Sequence, residues 1–214
     1  MTGILLADVH RSFVESLAML LDAHAGLHVV GAVTRADEVL QVVRSRPVDV
    51  AVLTVDGGRE DLLALATALL AARPDLKLVA VAEADDVAVL ARAIRGGFRA
   101  WVHKSDGVAG LVDVLGAVLR DETRIPPPLL TGLLAHLVRG EQEKCAVEKI
   151  LAALTVRERQ VLDALVTGST RQEIAEDLEI SLNTVRTHLQ SILRKLGVHT
   201  SLAAVTLVRR GGAA

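Results

Sequence analysis

Apolar residues recur along this chain in two rhythms, and the change from one to the other marks two domains. Over roughly the first 120 residues, short apolar runs at 4–7, 29–33, 50–55, 78–82 and 100–102 alternate with longer amphipathic stretches at 13–24, 36–45, 61–72, 87–95 and 108–120. Runs that short and that uniformly apolar predict strands covered on both faces, and strict strand–helix alternation predicts a parallel sheet with helices on either side. Such sheets bind at the carboxyl ends of their strands. That rule singles out Asp8, Thr54, Asp56, Ala82, Glu83 and Lys104.

Past residue 150 the period is helical throughout. Val185, Leu189, Ile192 and Leu196 follow spacings of four, three and four and form one apolar stripe. Val161, Leu162 and Leu165 line an earlier short helix, Ile174, Ala175 and Leu178 another, and Leu202, Val205, Leu207 and Val208 a last one over 200–210. Thr155 with Glu158, and Thr170 with Glu173, have the spacing of capping boxes, and Gly168 stands where a left-handed residue stops a helix. Residues 179–181 leave room only for a sharp corner between two helices. Ser181 caps the second of them and leaves its positive dipole end open to an anion such as phosphate.

Between the halves, the Ile125-Pro126-Pro127-Pro128 run predicts a stiff, extended connector. A short helix is expected over 129–138 and a mixed-charge turn over 141–144. The organisation is therefore a sheet domain at 1–120, a linker at 121–149 and an all-helical domain at 150–214.

The polar face of the 181–197 helix carries Asn183, Arg186, Thr187, Gln190 and Arg194, and the segment contains no acid. Arg186 offers two parallel donors that match guanine O6 and N7, and Gln190 matches adenine N6 and N7. The Thr187 methyl can meet a thymine methyl. Arg194 and Lys195 suit either phosphate or the negative end of the helix dipole. His188 has no second ligand at metal spacing, and no metal or cofactor is expected. On these residues alone, a helical bundle with a solvated face remains an alternative.

Composition narrows the field. Half of the residues are apolar (51%), enough for sizeable cores, and the net charge of −2 leaves a nucleic-acid reading to rest on local charge placement. Cys145 is the single cysteine, which rules out an internal disulfide. No apolar run reaches membrane length and no signal-peptide pattern opens the chain, so a cytoplasmic location is expected. No paired carboxylates, nucleophile–base pair or phosphate loop points to an enzyme.

Residues 154–198 resemble the helix-turn-helix domain shared by the LuxR and FixJ transcription factors. The resemblance is carried by Leu154, Thr155, Arg157, Glu158, Val161, Leu162, Gly168, Ile174, Ala175, Leu178, Ser181, Thr184, Val185, His188, Ile192, Lys195 and Leu196. It implies that Arg186, Thr187 and Gln190 face base edges while Ser181, Thr184, Arg194 and Lys195 hold phosphates. Glu179 stands where the family usually has glycine, which puts a carboxylate and some backbone strain into the turn. For the last helix the resemblance implies a dimer contact; simple closure of the bundle is the other expectation.

The stretches ILLADVHRSFVESLAMLL, RPVDVAVLTVDG and AIRGGFRAWVHKSD resemble a response-regulator receiver domain. That implies a doubly wound five-stranded sheet of order 2-1-3-4-5. It also exposes what is missing. Asp8 remains, but the adjoining acid position holds Val9; the phosphoacceptor position holds Thr54 and the switch hydroxyl position Ala82; Lys104 remains, and the switch aromatic position holds Trp101. Asp8 alone is a poor magnesium site, and threonine cannot replace aspartate in acyl-phosphate chemistry. Lys104 is expected to pair with Asp8 or Asp56, with Asp56 the one carboxylate that could stand in as acceptor. Trp101 is expected to fill the space beside Ala82, and its surroundings are where a replacement input would act.

The chain thus resembles the NarL/FixJ response regulators with an atypical receiver. The expected function is a transcriptional regulator that binds double-stranded promoter DNA without aspartyl phosphorylation, as a homodimer or a heterodimer with a related regulator. The alternatives are an interaction module built on such a heterodimer, or a receiver gated by a small molecule.

Overall fold

Every residue of β1 (Thr2–Ala7) after Thr2 is buried, and β3 (Val50–Thr54) is buried throughout. These two strands lie inside a five-stranded parallel sheet of order β2-β1-β3-β4-β5, completed by β2 (Leu27–Val33), β4 (Lys77–Ala82) and β5 (Phe98–His103). The architecture comes from a computed structural model that describes residues 1–55 and 62–212, with side chains for all of these except 143–144 and 210–212. The described residues group into two units, Met1–His136 and Leu137–Ala214.

In the first unit, successive strand residues alternate between two cores, as the pleat requires. Leu5, Leu53, Ala80, Phe98 and Trp101 point to the side covered by α2 (Ala36–Ser45), α3 (Leu62–Ala72) and α4 (Val87–Arg95). Leu6, Val52, Val81, Ala100 and Val102 point to the side covered by α1 (Arg11–Asp22) and α5 (Gly107–Leu119). Edge strand β2 is the exception, half-buried along most of its length. A single 3₁₀ turn at Lys104–Asp106 joins β5 to α5 and sets Lys104 at the carboxyl edge of the sheet.

The linker departs from expectation. The prolines do not end in an extended connector and residues 141–144 do not turn; one helix, α6, runs from Pro127 to Ala152. Proline is at home in a first helical turn, where its missing N–H has no partner to lose, and the Glu, Gln, Lys and Ala residues beyond Gly140 are good helix formers. What stays extended is the approach to α6. Arg124 forms a parallel bridge to Ala100, with Trp101 N donating to Arg124 O (2.8 Å) and Arg124 N to Arg99 O (3.0 Å). Leu129 and Leu133 then join the buried cluster that contains Trp101. Asp121, at a left-handed φ of 64°, makes the turn into this segment and is held by Lys77 and Arg99.

The second unit contains, after the later part of α6, α7 (Val156–Thr167), α8 (Arg171–Asp177), α9 (Leu182–Leu196) and α10 (Ser201–Gly212). Both capping boxes form as the sequence predicts, and Gly168 ends α7 with φ 99°. Val161, Leu162, Ile174, Val185, Leu189, Ile192, Leu196 and Ala204 make its core. Among the described residues no helix is long and apolar enough to cross a membrane.

Candidate nucleic-acid interface and receiver pocket

α8, the corner at 178–181 and α9 form a helix-turn-helix. Ser181 caps α9, its Oγ accepting from Thr184 N at 3.1 Å. Glu179 turns the corner at φ 54°, a left-handed conformation that favours glycine. Gly197 closes α9, also left-handed, and Arg194 and Lys195 lie in its last turn.

The apolar stripe of α9 is buried, which fixes what faces out. Asn183, Arg186, Thr187, Gln190 and Arg194 are all exposed, Ser181 is exposed beside them, and Thr184 is half-buried. The Thr187 hydroxyl donates to Asn183 O at 3.0 Å, leaving its methyl as the outward chemistry. Among the described residues, the side chains of Arg186, Gln190 and Arg194 have no intramolecular hydrogen bond or ion pair, so their donors are available to a ligand.

Lys195 is placed differently. Its ammonium donates to Glu158 Oε2 (2.7 Å) and to Ala153 O (3.1 Å), which commits two of its donors inside the unit. Glu158 is 5% exposed and also accepts from Ser191 Oγ (2.7 Å) and Thr155 N (2.7 Å). Lys195 above all, with Ser191 and Thr155, lowers its carboxyl to about 2. Sequence reasoning gave Glu158 only its capping role; a carboxylate and a lysine far apart in sequence carry no local signal that they meet.

The carboxyl edge of the sheet gathers the expected receiver residues. Asp8 is 1% exposed. Its Oδ2 accepts from Thr54 Oγ1 (2.6 Å) and pairs with Lys104 Nζ (2.9 Å), while Oδ1 accepts from His10 N (2.7 Å) and lies 2.9 Å from His10 Nδ1. Burial pushes the Asp8 carboxyl up, but the bonds from Thr54, His10 N, Lys104 and the His10 ring outweigh it and bring it down to about 2. Lys104 reaches Glu83 Oε1 at 3.0 Å as well and stands 5.1 Å over the Phe13 ring. His10 and Phe13 were not predicted; a histidine two residues past a strand-end aspartate is the signal that could have found the first.

This donor set does not fit magnesium. The ion takes six oxygens in near-octahedral order. Here the Val9 side chain is exposed and offers none, Thr54 spends its proton on Asp8, and a lysine cation lies against the buried Asp8 carboxylate. Among the described residues no three His, Cys, Asp or Glu side chains converge as a metal site. Asp56 lies outside the described residues. Ala82 is buried, and Trp101, 2% exposed, belongs to the same cluster; among the described residues its Nε1 has no acceptor.

Residues 152–208 match the family described as bacterial regulatory proteins, luxR family. Curated relatives are similar over almost the whole chain, and two of them illustrate the likeness. One is a putative transcriptional regulator of Pseudomonas aeruginosa, 27% identical over 210 residues and 98% of each chain. The other is the oxygen regulatory protein NreC of Staphylococcus carnosus, 27% identical over 198 residues and 91% of each. Among solved structures, the Salmonella typhimurium response regulator RcsB, described for its conformational dynamism in DNA interaction, superposes with a TM-score of 0.56 at 18% identity, covering 97% of this chain and 99% of that one. A structure of two RcsB dimers bound to two parallel DNAs gives 0.55 at 19% identity and 98% coverage of both chains. The likeness to RcsB is one of fold.

Proposed function

We propose that this chain, a DNA-binding transcriptional response regulator of the LuxR family, is controlled without aspartyl phosphorylation and binds promoter DNA as a dimer. Arg186, Thr187 and Gln190 read base edges; Ser181, Asn183, Thr184 and Arg194 position the helix on phosphates and sugars, with the remaining donor of Lys195 beside them. RcsB dimers on DNA give the dimer its precedent. The protein works in the cytoplasm, where its duplex is.

The observation that carries the phosphorylation-independent reading is Lys104 Nζ, 2.9 Å from Asp8 Oδ2. A receiver of the usual kind holds a metal ion against that carboxylate; here the cation is a side chain of the protein, and Thr54 fills the acceptor position with a hydroxyl already bonded to Asp8. The pocket therefore rests in one state without a metal or a phosphate.

Gel-shift titration against the promoter region of the protein's own gene, with and without beryllofluoride and magnesium, tests both parts. Saturable, salt-sensitive binding that the additives leave unchanged supports the reading. A rise in affinity or a change in oligomeric state on adding them would refute the phosphorylation-independent part alone, and binding to no duplex would refute the DNA part.

A further inference from the structure

Helix α9 buries Val185, Leu189, Ile192 and Leu196, each no more than 5% exposed. Leu182, three residues before Val185, would continue that stripe, yet it is 53% exposed. It is the first residue of α9, directly after the Ser181 cap, and the only large apolar side chain exposed on this helix among the described residues.

A lone exposed leucine on an ordinary surface needs no explanation. The neighbours of this one give it a setting. Leu182 stands one turn before Arg186, at the i, i+4 spacing that makes residues adjacent on a helix surface, and next to Asn183. The amino-terminal residues of a recognition helix are the ones that meet base edges. Unlike its neighbours, Leu182 has nothing to donate or accept. In the major groove the one apolar group a base pair presents is the 5-methyl of thymine.

We infer that Leu182 is a specificity residue, packing on the 5-methyl group of a thymine beside the base contacted by Arg186. The inference rests on the reading of α9 as the base-contacting helix and adds to it a position that hydrogen-bond chemistry alone does not supply. Removing one methyl from water gives such a contact a worth of about fourfold in affinity.

The test uses the full-length protein. Duplexes are selected from a random pool, and binding is measured to the selected duplex and to a series in which each thymine in turn becomes deoxyuridine, which removes only the methyl. The wild type is expected to lose about fourfold at the thymine that Leu182 covers. Leu182→Ala is expected to bind the parent duplex about fourfold more weakly, to lose nothing further when that thymine is replaced, and to keep the wild-type response at every other position. Leu182→Gln gives the same readout should the alanine variant fold poorly, and circular dichroism monitors both. A variant that keeps the wild-type pattern of deoxyuridine sensitivity, or that weakens every duplex equally, overturns the assignment. A wild type that enriches no sequence overturns the DNA reading itself, and Leu182 with it.

Discussion

Lys195 Nζ lies 2.7 Å from Glu158 Oε2, fastening the last turn of α9 to the first turn of α7. One carboxylate thereby serves twice: it closes the capping box of α7 with Thr155 and anchors the far end of the helix that presents Arg186 and Gln190. The two roles predict separable consequences.

Glu158→Gln is expected to destabilise the carboxyl-terminal unit by roughly 3 kcal/mol, because it leaves Lys195 without its buried partner. The acid limb follows from the same pair. The Glu158 carboxyl is lowered from 4.5 to about 2, chiefly by Lys195, so its contribution is complete above pH 4.5 and fades as pH falls toward about 2. Thermal melts across that range should show the loss in the wild type and its absence in the variant.

Asp8 gives the sheet domain a parallel dependence. Its carboxyl falls from 3.8 to about 2, so stability of roughly 2 kcal/mol is present above pH 3.8 and disappears as pH drops through about 2. Asp8→Asn takes from Lys104 its buried counter-charge, and a loss of about 3 kcal/mol is expected by urea unfolding, with a flatter acid limb. Equal stability of the variant at neutral pH would mean that the Lys104 pair holds nothing together.

Glu179→Gly should stabilise the helix-turn-helix by about 1 kcal/mol, since a left-handed residue with a Cβ is strained and glycine is not. The same change removes an acid from the turn before α9, so DNA affinity at low salt is expected to rise. A lower melting temperature would show that the Glu179 side chain supplies a contact worth more than the strain.

Arg186→Ala and Gln190→Ala are expected to relax base preference at single positions, each losing 1–3 kcal/mol of discrimination on the order set by bidentate base contacts. Arg194→Ala should weaken all duplexes alike and reduce the slope of affinity against salt by about one phosphate contact. Competition binding over a panel of single-base variants separates the two behaviours.

Local chemistry was the most legible part of the sequence. Thr155, Thr170, Ser181 and Gly168 announce helix ends because each acts on backbone groups within a few residues, and the structure places all four as caps. The sheet order was available through the receiver resemblance, and the meeting of Asp8 with Lys104 followed from both lying at carboxyl strand ends. The linker differs from the sequence expectation because prolines block a helix only in its interior, and Pro127 and Pro128 occupy the first turn of α6. Glu158 with Lys195 and His10 with Asp8 depend on how distant or turning segments fold back, and periodicity carries no trace of that. The exposure of Leu182 has no sequence signal for a different reason: its spacing to Val185 is that of the buried stripe, so periodicity alone places it in the core.

The bridge from Ala100 to Arg124 bears on how the chain can be divided. β5 is the last strand of its sheet, and Arg124 covers part of its outer rim while Leu129 and Leu133 complete the buried cluster to which Trp101 belongs. A protein severed after α5 would bare both, offering unpaired amides and an oily hollow to any passing copy. The shortest amino-terminal piece able to live alone in water therefore ends beyond Leu133, and the tether, by sequence a spacer, is for its first dozen residues a wall of the house it leaves.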